Sequence, residues 1–338
     1  MKQKLLLNGF TSTRRKPPLN ITEADVVIFN LATNTIKFPD VFLYTLRKAY
    51  VSPFGMVFNN GFTVNETIYA AHKSIRNIFS FYKKMVYGRI KKTDGNCVVI
   101  NNSWYQNYYH WCTEALPRLF VIKDHVSNIN LILPYDLSKF HLQTLDFFNI
   151  DSITYCDEHE LVAAPLLHFT SYTSPGFGCH NPKLIRDMSA FFKRKTNASG
   201  HVSHSRNIYT SRSKSLKRKC INEDKLLHLL KKFDFEIVVP DNLSVIEQIN
   251  LFSNAKNVLG VHGSSFVNCL FMNKDSVVFD LIENNHNDLC FFNLACALDV
   301  NYVYIRSNGV GPKQYYRDND IIADIPNVKK LLDKFLCR

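Results

Sequence analysis

The chain has 338 residues, 46% of them hydrophobic and 13% aromatic, which excludes a disordered or fibrous protein and suits two domains of about 150 residues each. Its formal net charge is +12, a balance that favours polyanionic partners: nucleic acid, an anionic membrane surface or phosphorylated small molecules. No apolar run approaches the roughly 20 residues that span a bilayer, and residues 5–7 are too short for an export signal. Nine scattered cysteines without a C-x-x-C pair fit reduced thiols rather than a disulfide framework or a zinc site. The expectation is a cytoplasmic protein, peripheral at most to the inner face of the membrane. The N-x-[ST] triplets at Asn20 and Asn65 are then chance occurrences.

The first sixty residues mix short apolar runs, 4–7 and 26–29, with proline-bearing loops. From Glu66 to Tyr87, Ile68, Ala71, Ile75, Ile78 and Tyr82 fall close to one helical face and predict an amphipathic helix. A buried strand follows at 97–100. Residues 101–124, NNSWYQNYYHWCTEALPRLFVIKD, have helical spacing, with a kink expected at Pro117. Strands at 130–133 and 152–155 around a helix at 137–148 make a first Rossmann-like half. The Gly-, Pro- and Ser-rich stretch 165–182 is the expected linker, which sets domains at 1–180 and 181–325 and leaves a last helix, 326–338, to pack back across the boundary.

The second half alternates more plainly. Strands at 207–210, 235–239, 258–261, 277–279 and 302–305 are separated by helices at 222–233, 243–253, 264–272 and 289–298. That pattern predicts a doubly wound parallel sheet.

Its centre is NVLGVHGSSFVNCLFMNKDSVVFDLIE, 257–283, which reads as strand, glycine turn, helix, strand. A turn at the carboxyl end of a parallel strand is where such sheets bind ligands. A helix opening at His262-Gly263 with Ser264 and Ser265 would aim free N–H groups at an anion, the phosphate end of a nucleotide. Neither GxGxxG nor GxxxxGK[ST] occurs, so a dehydrogenase or P-loop enzyme is disfavoured. Arg212 follows strand 207–210 and can grip a diphosphate with two parallel hydrogen bonds. Ser211 precedes it. Lys214, Lys217, Arg218 and Lys219 follow in a run that suits a solvated loop equally well. His110 and Glu114, four apart, fit a general base with its orienting partner or a plain ion pair, and Arg118 one turn on could hold the carboxylate ionised. Tyr108, Tyr109 and Trp111 suit a core and a sugar platform alike. Asp280 and Glu283 suit ribose hydroxyls or a turn cap.

Three blocks together resemble the family 61 glycosyltransferases, many of whose bacterial members are capsular polysaccharide biosynthesis proteins. NYYHWCTEALPRL, 107–119, is similar to the family's N-[FY]-x-H-W-x-x-E-x-L-P-R-L. IYTSRSKSLKRKCINEDKL, 208–226, is similar to its Y-[IV]-S-R followed by basic residues and N-E-x-x-[LI]. VLGVHGSSFVNCLFMNKDSVVFDL, 258–281, is similar to its G-x-H-G-[AS]-x-[LF]-x-N-x-x-F-M with a trailing S-V-V-[IV]-E-L. Order and gaps fit, and the likeness covers roughly 101–281. Two positions depart: Asp280 stands for the family's glutamate, and Asp275 for its glycine.

The resemblance implies an α/β, GT-B-like fold, two Rossmann-like domains with parallel sheets facing across a cleft, 1–180 on the acceptor side and 181–325 holding the nucleotide sugar. It implies inverting transfer from a nucleotide-diphosphate donor, a UDP-sugar for preference, to a hydroxyl of a glycan or lipid-linked glycan, with no cofactor and no essential metal. Ser211, Arg212, Lys217, His262, Gly263, Ser264, Ser265, Asn268, Asp280 and Glu283 fall to the donor. His110 and Glu114 fall to catalysis, and Tyr109, Trp111, Arg118 and His180 to the acceptor. The alternative is a catalytically silent nucleotide- or glycan-binding protein on the same fold. No RNP, KH, helix-turn-helix or zinc-finger pattern supports nucleic acid, so the excess charge is assigned to an anionic membrane surface.

Overall fold

The computed structural model describes residues 1–12, 16–29, 35–68, 75–198, 205–312 and 317–336. They form two compact units, one of Met1–Ser12 with Thr35–Leu184 and one of Thr13–Asn34 with Ile185–Arg338. No described helix is long and apolar enough to cross a membrane.

The first unit opens with strands β1 (Lys2–Leu7), β2 (Phe10–Ser12), β3 (Ile36–Phe38), β4 (Val41–Val51), β5 (Val57–Asn59) and β6 (Phe62–Thr63). Helix α1 (Ile75–Tyr87), β7 (Arg89–Lys92) and β8 (Asn96–Val98) follow. Next come α2 (Tyr108–His110), a π-turn (Trp111–Ala115), α3 (Leu116–Ile122), β9 (Ile129–Pro134), α4 (Lys139–Leu145), β10 (Ser152–Cys156) and β11 (Glu160–Thr170). A nine-stranded sheet runs β10-β9-β8-β11-β4-β5-β6, with β1 on β4 and β7 on β11. Strands β7 to β11 pair in parallel, whereas β1, β4, β5 and β6 are antiparallel. The expected Rossmann-like half is therefore a mixed sheet. Its parallel part was readable because β9 is buried along its whole length and apolar but for Asn130. The long β4 was not, since Arg47 and Lys48 break its apolar run and Lys48 turns to a positive φ.

The helix expected from Glu66 begins, among the described residues, at Ile75; Ala71 lies outside them. Its buried side is marked by Phe81, packed on Phe58 with ring centroids 4.6 Å apart, and not by Tyr82, which is 42% exposed. Pro117 does not lie in a helix interior as expected. The five-residue turn just before it closes with Leu116 N–H on the Trp111 carbonyl, and Pro117 then sits in the first turn of α3, where no N–H is missed.

In the second unit α5 (Pro182–Lys195) leads to β12 (Arg206–Thr210), α6 (Glu223–Leu230), β13 (Phe235–Val238), α7 (Val245–Ser253) and β14 (Ala255–Val261). Then follow a 3₁₀ helix (Ser264–Phe271), β15 (Val277–Glu283), α8 (Cys290–Ala297), β16 (Asn301–Val310), β17 (Asp320–Ile322) and α9 (Ile325–Leu336). The sheet order is β13-β12-β14-β15-β16-β17, parallel except for β17. The chain reverses its winding between β12 and β14, and loops leaving those two carboxyl ends diverge there to make a crevice.

Residues of the 13–34 segment belong to this unit: Leu19 donates to the Tyr302 carbonyl and Phe29 packs edge-on against Phe292. Helix α9, expected to cross the boundary, instead buries Val328 and Leu332 in this unit's own core beside α6. Asp275, where the family has glycine, has φ of 66°, a left-handed conformation in which glycine carries no steric penalty.

Candidate functional site

At the crevice between β12 and β14, Thr210 and Gly260 pair across the strand ends, and a Cβ on Gly260 would collide with the Thr210 hydroxyl. The two loops beyond are equally close. Arg212 lies against Gly263 so tightly that a Cβ there would overlap its guanidinium. That guanidinium donates from Nε to the Arg218 carbonyl at 3.0 Å and from Nη2 to the Lys217 carbonyl at 3.1 Å. Arg218, itself in a left-handed conformation, sends Nη1 to the His262 carbonyl at 3.2 Å and leaves a buried Nε without an acceptor. Neither arginine forms an ion pair with a carboxylate among the described residues. Burial first, and then the charge of Arg218, push Arg212 down to about 10, and burial also lowers Arg218. Two half-desolvated cations side by side are stabilised by an anion that bridges them.

His262 is buried, with Nδ1 on Asp280 at 2.7 Å. Tyr302 donates to the same carboxylate oxygen at 2.7 Å. This holds the ring and leaves Nε2 with no hydrogen bond among the described residues. The segment after Gly263 is a 3₁₀ helix and not the expected α-helix: Phe266 N–H reaches the Gly263 carbonyl at 2.9 Å. Ser265 presents a buried hydroxyl without a partner.

Other residues expected at the donor lie elsewhere. Asp280 has no exposed surface, so its carboxylate acts on His262 and cannot touch a ribose. Glu283 is spent on the turn, accepting from Asn285 N at 2.6 Å and Nδ2 at 2.9 Å. Asn268 is fully buried and donates to Gln248 at 2.7 Å. Ser211 donates to Glu223 at 2.8 Å under the loop, and Lys217 pairs with Asp318 at the surface. Arg218, by contrast, came from the run that also read as a solvated loop.

His262, Asp288 and Cys290 bring a nitrogen, an oxygen and a sulfur within 4.8 Å of one another. Burial and Asp288 hold the Cys290 thiol protonated, well above its usual value, and Asp288 also caps α8 by accepting from Cys290 N at 2.9 Å. Asp288 is thus occupied at the start of α8, and His262 is held by Asp280.

In the first unit a second polar cluster surrounds the π-turn. His110 Nδ1 is 2.9 Å from Glu114 Oε1, and Asn102 donates to Oε2 at 2.6 Å. All three are buried. Trp104 stacks on His110 with centroids 5.3 Å apart and planes within 15°, one side half open to solvent. His110 Nε2 makes no hydrogen bond among the described residues.

The acceptor-side expectations fare differently. Trp111 is fully buried and donates to Thr144 at 2.7 Å, so it is core. Arg118, 1% exposed, clamps the carbonyls of Ile100 at 2.7 Å and Thr170 at 3.0 Å; Glu114 acts on it only through its charge. Tyr109 meets His180 Nε2 at 2.9 Å inside the fold. Asn102 and Trp104 were not singled out in the sequence, although both stand in the stretch that carries His110.

Comparison with known proteins identifies the family. The profile of the family described as glycosyltransferase 61 matches residues 108–279, half of the chain. The chain belongs to glycosyltransferase family 61. Among curated proteins, this family 61 chain is similar to the EGF domain-specific O-linked N-acetylglucosamine transferases. That of Mus musculus is 28% identical over 143 residues, 37% of this chain and 25% of that protein. Those of Pan troglodytes and Gallus gallus are each 29% identical over 154 residues, 40% of this chain and 27% of theirs. The match thus spans about a quarter of the length of these relatives. Both candidate clusters of the family 61 glycosyltransferase, His110 with Glu114 and Arg212 with His262, fall inside the matched residues.

Proposed function

We propose that the protein is an inverting glycosyltransferase that moves a sugar from a nucleotide-diphosphate donor, a UDP-sugar, to a hydroxyl of a glycan acceptor in surface or capsular polysaccharide synthesis. The observation that carries this reading is the pair Arg212 and Arg218, two partly buried guanidiniums at the β12/β14 switch point without a carboxylate partner among the described residues. A leaving diphosphate supplies the negative charge they lack, and the 3₁₀ helix N-terminus with Ser265 adds donors. His262 stands beside them, its ring held by Asp280 through Nδ1 at 2.7 Å. In the GT-B scheme that the resemblance implies, the second unit takes the donor and the first the acceptor.

In the acceptor unit, His110 is assigned as the base. Its Nδ1–H is held by Glu114, so Nε2 can accept the proton of the attacking hydroxyl. Both oxygens of Glu114 are occupied, by His110 and Asn102, which makes it an orienting group. The hydroxyl oxygen attacks the anomeric carbon, the bond to the diphosphate breaks on the opposite face, and the departing charge is met by the two arginines. No step calls on a metal. The relatives' names favour a second reading of the substrates, N-acetylglucosamine as the sugar and a protein hydroxyl as the acceptor.

Titration with UDP and turnover with a panel of nucleotide sugars test the proposal. Arg212→Ala should lose UDP affinity by about 1.5–3 kcal/mol, the range for a hydrogen bond to a charged group, with the fold intact. Unchanged affinity and turnover overturn it. UDP binding without transfer to any acceptor would make the protein the catalytically silent binder.

A further inference from the structure

Helix α1 is apolar on two sides. Phe81 faces inward and packs on Phe58 at 4.6 Å, with Met85 against the same cluster. At 100° per residue, Phe79, Val86 and Tyr87 lie on the opposite arc. They are 73%, 71% and 82% exposed, and at the tip of the neighbouring β5–β6 hairpin Phe62 is 74% exposed. Such a cluster of open aromatic and branched side chains calls for a covering surface. The charge around it indicates which. Residues 79–92 contain Lys83, Lys84, Arg89, Lys91 and Lys92 and no acidic residue. Lys83, on the outward arc between Phe79 and Val86, forms no ion pair among the described residues, and neither does Lys92. Arg89 reaches Glu160 only at 3.5 Å with its own side chain largely in solvent.

We propose that this outward face of α1, together with the Phe62 hairpin, docks the protein on an anionic lipid bilayer. Phe79, Val86, Tyr87 and Phe62 enter the boundary between headgroups and acyl chains, and Lys83 and Lys92 lie among the lipid phosphates. An acidic protein or a nucleic acid would use the charge but leave the aromatic stripe uncovered, which is why the bilayer is favoured. The helix lies in the membrane plane and does not cross it.

Co-sedimentation of the full chain with vesicles of phosphatidylcholine, with and without phosphatidylglycerol, tests this. The protein should pellet with the phosphatidylglycerol vesicles and be released by salt. The triple variant Phe79→Ser, Val86→Ser, Tyr87→Ser should bind at least about tenfold more weakly, because its buried apolar area on the membrane is removed. Lys83→Glu with Lys92→Glu should lose binding as well. Thermal unfolding of both variants should match that of the parent, since none of these side chains supports the core. The proposal is overturned if the parent fails to bind, or if the serine variant binds as the parent does. It is equally overturned if the parent is dimeric and the serine variant monomeric, which would make the stripe a contact between copies.

Discussion

Gly263 lies in contact with the guanidinium of Arg212, and a methyl group at position 263 would overlap Nη1. The φ of 179° at this glycine is extended backbone that any residue adopts, so the requirement is for space beside the arginine. Gly263→Ala should therefore displace Arg212 and weaken UDP binding at least about tenfold, a loss of roughly 1.4 kcal/mol, while stability falls by no more than the roughly 1–3 kcal/mol of an overpacked site. Calorimetric titration with UDP and a thermal melt separate the two effects. A variant that binds UDP normally would remove Arg212 from the donor site.

Glu114→Gln keeps the shape of the side chain but removes the carboxylate that orients His110. Turnover should fall on the order of 10²- to 10⁴-fold, the range for a positioned general base. UDP affinity should not change, because the donor cluster is built from other elements. If turnover and UDP affinity fell together, the residue would be supporting the fold and not the base.

His286 packs on His262 with ring centroids 4.5 Å apart, and burial, reinforced by the charge of His262, depresses it to about 4. The unfolded chain holds a proton on this residue below its ordinary value of about 6.5, whereas the folded chain does not until about 4. Stability from this group is thus complete above pH 6.5, declines as pH falls towards 4, and levels off below that. Urea unfolding at a series of pH values should show a shallower decline in His286→Gln across that window. Equal slopes would mean that the pair does not titrate as described.

Asp275 occupies a left-handed conformation, φ 66°, between the buried 3₁₀ segment and β15. Asp275→Gly should raise the unfolding free energy by up to about 1 kcal/mol, since glycine avoids the steric cost there while losing more chain entropy on folding. Differential scanning calorimetry reads the change, and a drop would show that the aspartate side chain holds the turn.

Much of the second unit was legible in the sequence because each element is one local pattern: apolar runs of strand length alternate with amphipathic helices, and loops at the carboxyl ends of strands carry the chemistry. Residues 207–210, 235–239 and 277–279 correspond to β12, β13 and β15 within a few positions for that reason. The motif pair of His110 with Glu114 was equally local, four residues apart on one helical stretch. Asp280 and Asn268 show where local reading stops. Their spacing suits a ligand contact, yet the parallel pairing of β14 with β15 places Asp280 against His262, and the packing of α7 places Gln248 against Asn268. Which polar side chains spend their hydrogen bonds inside the fold, and which, like Arg212 and Arg218, are left with charge to offer, depends on neighbours distant in sequence. Composition and spacing set the chemistry available to this protein; only the tertiary structure decided which groups remain unsatisfied, because satisfaction is a property of pairs brought together by folding.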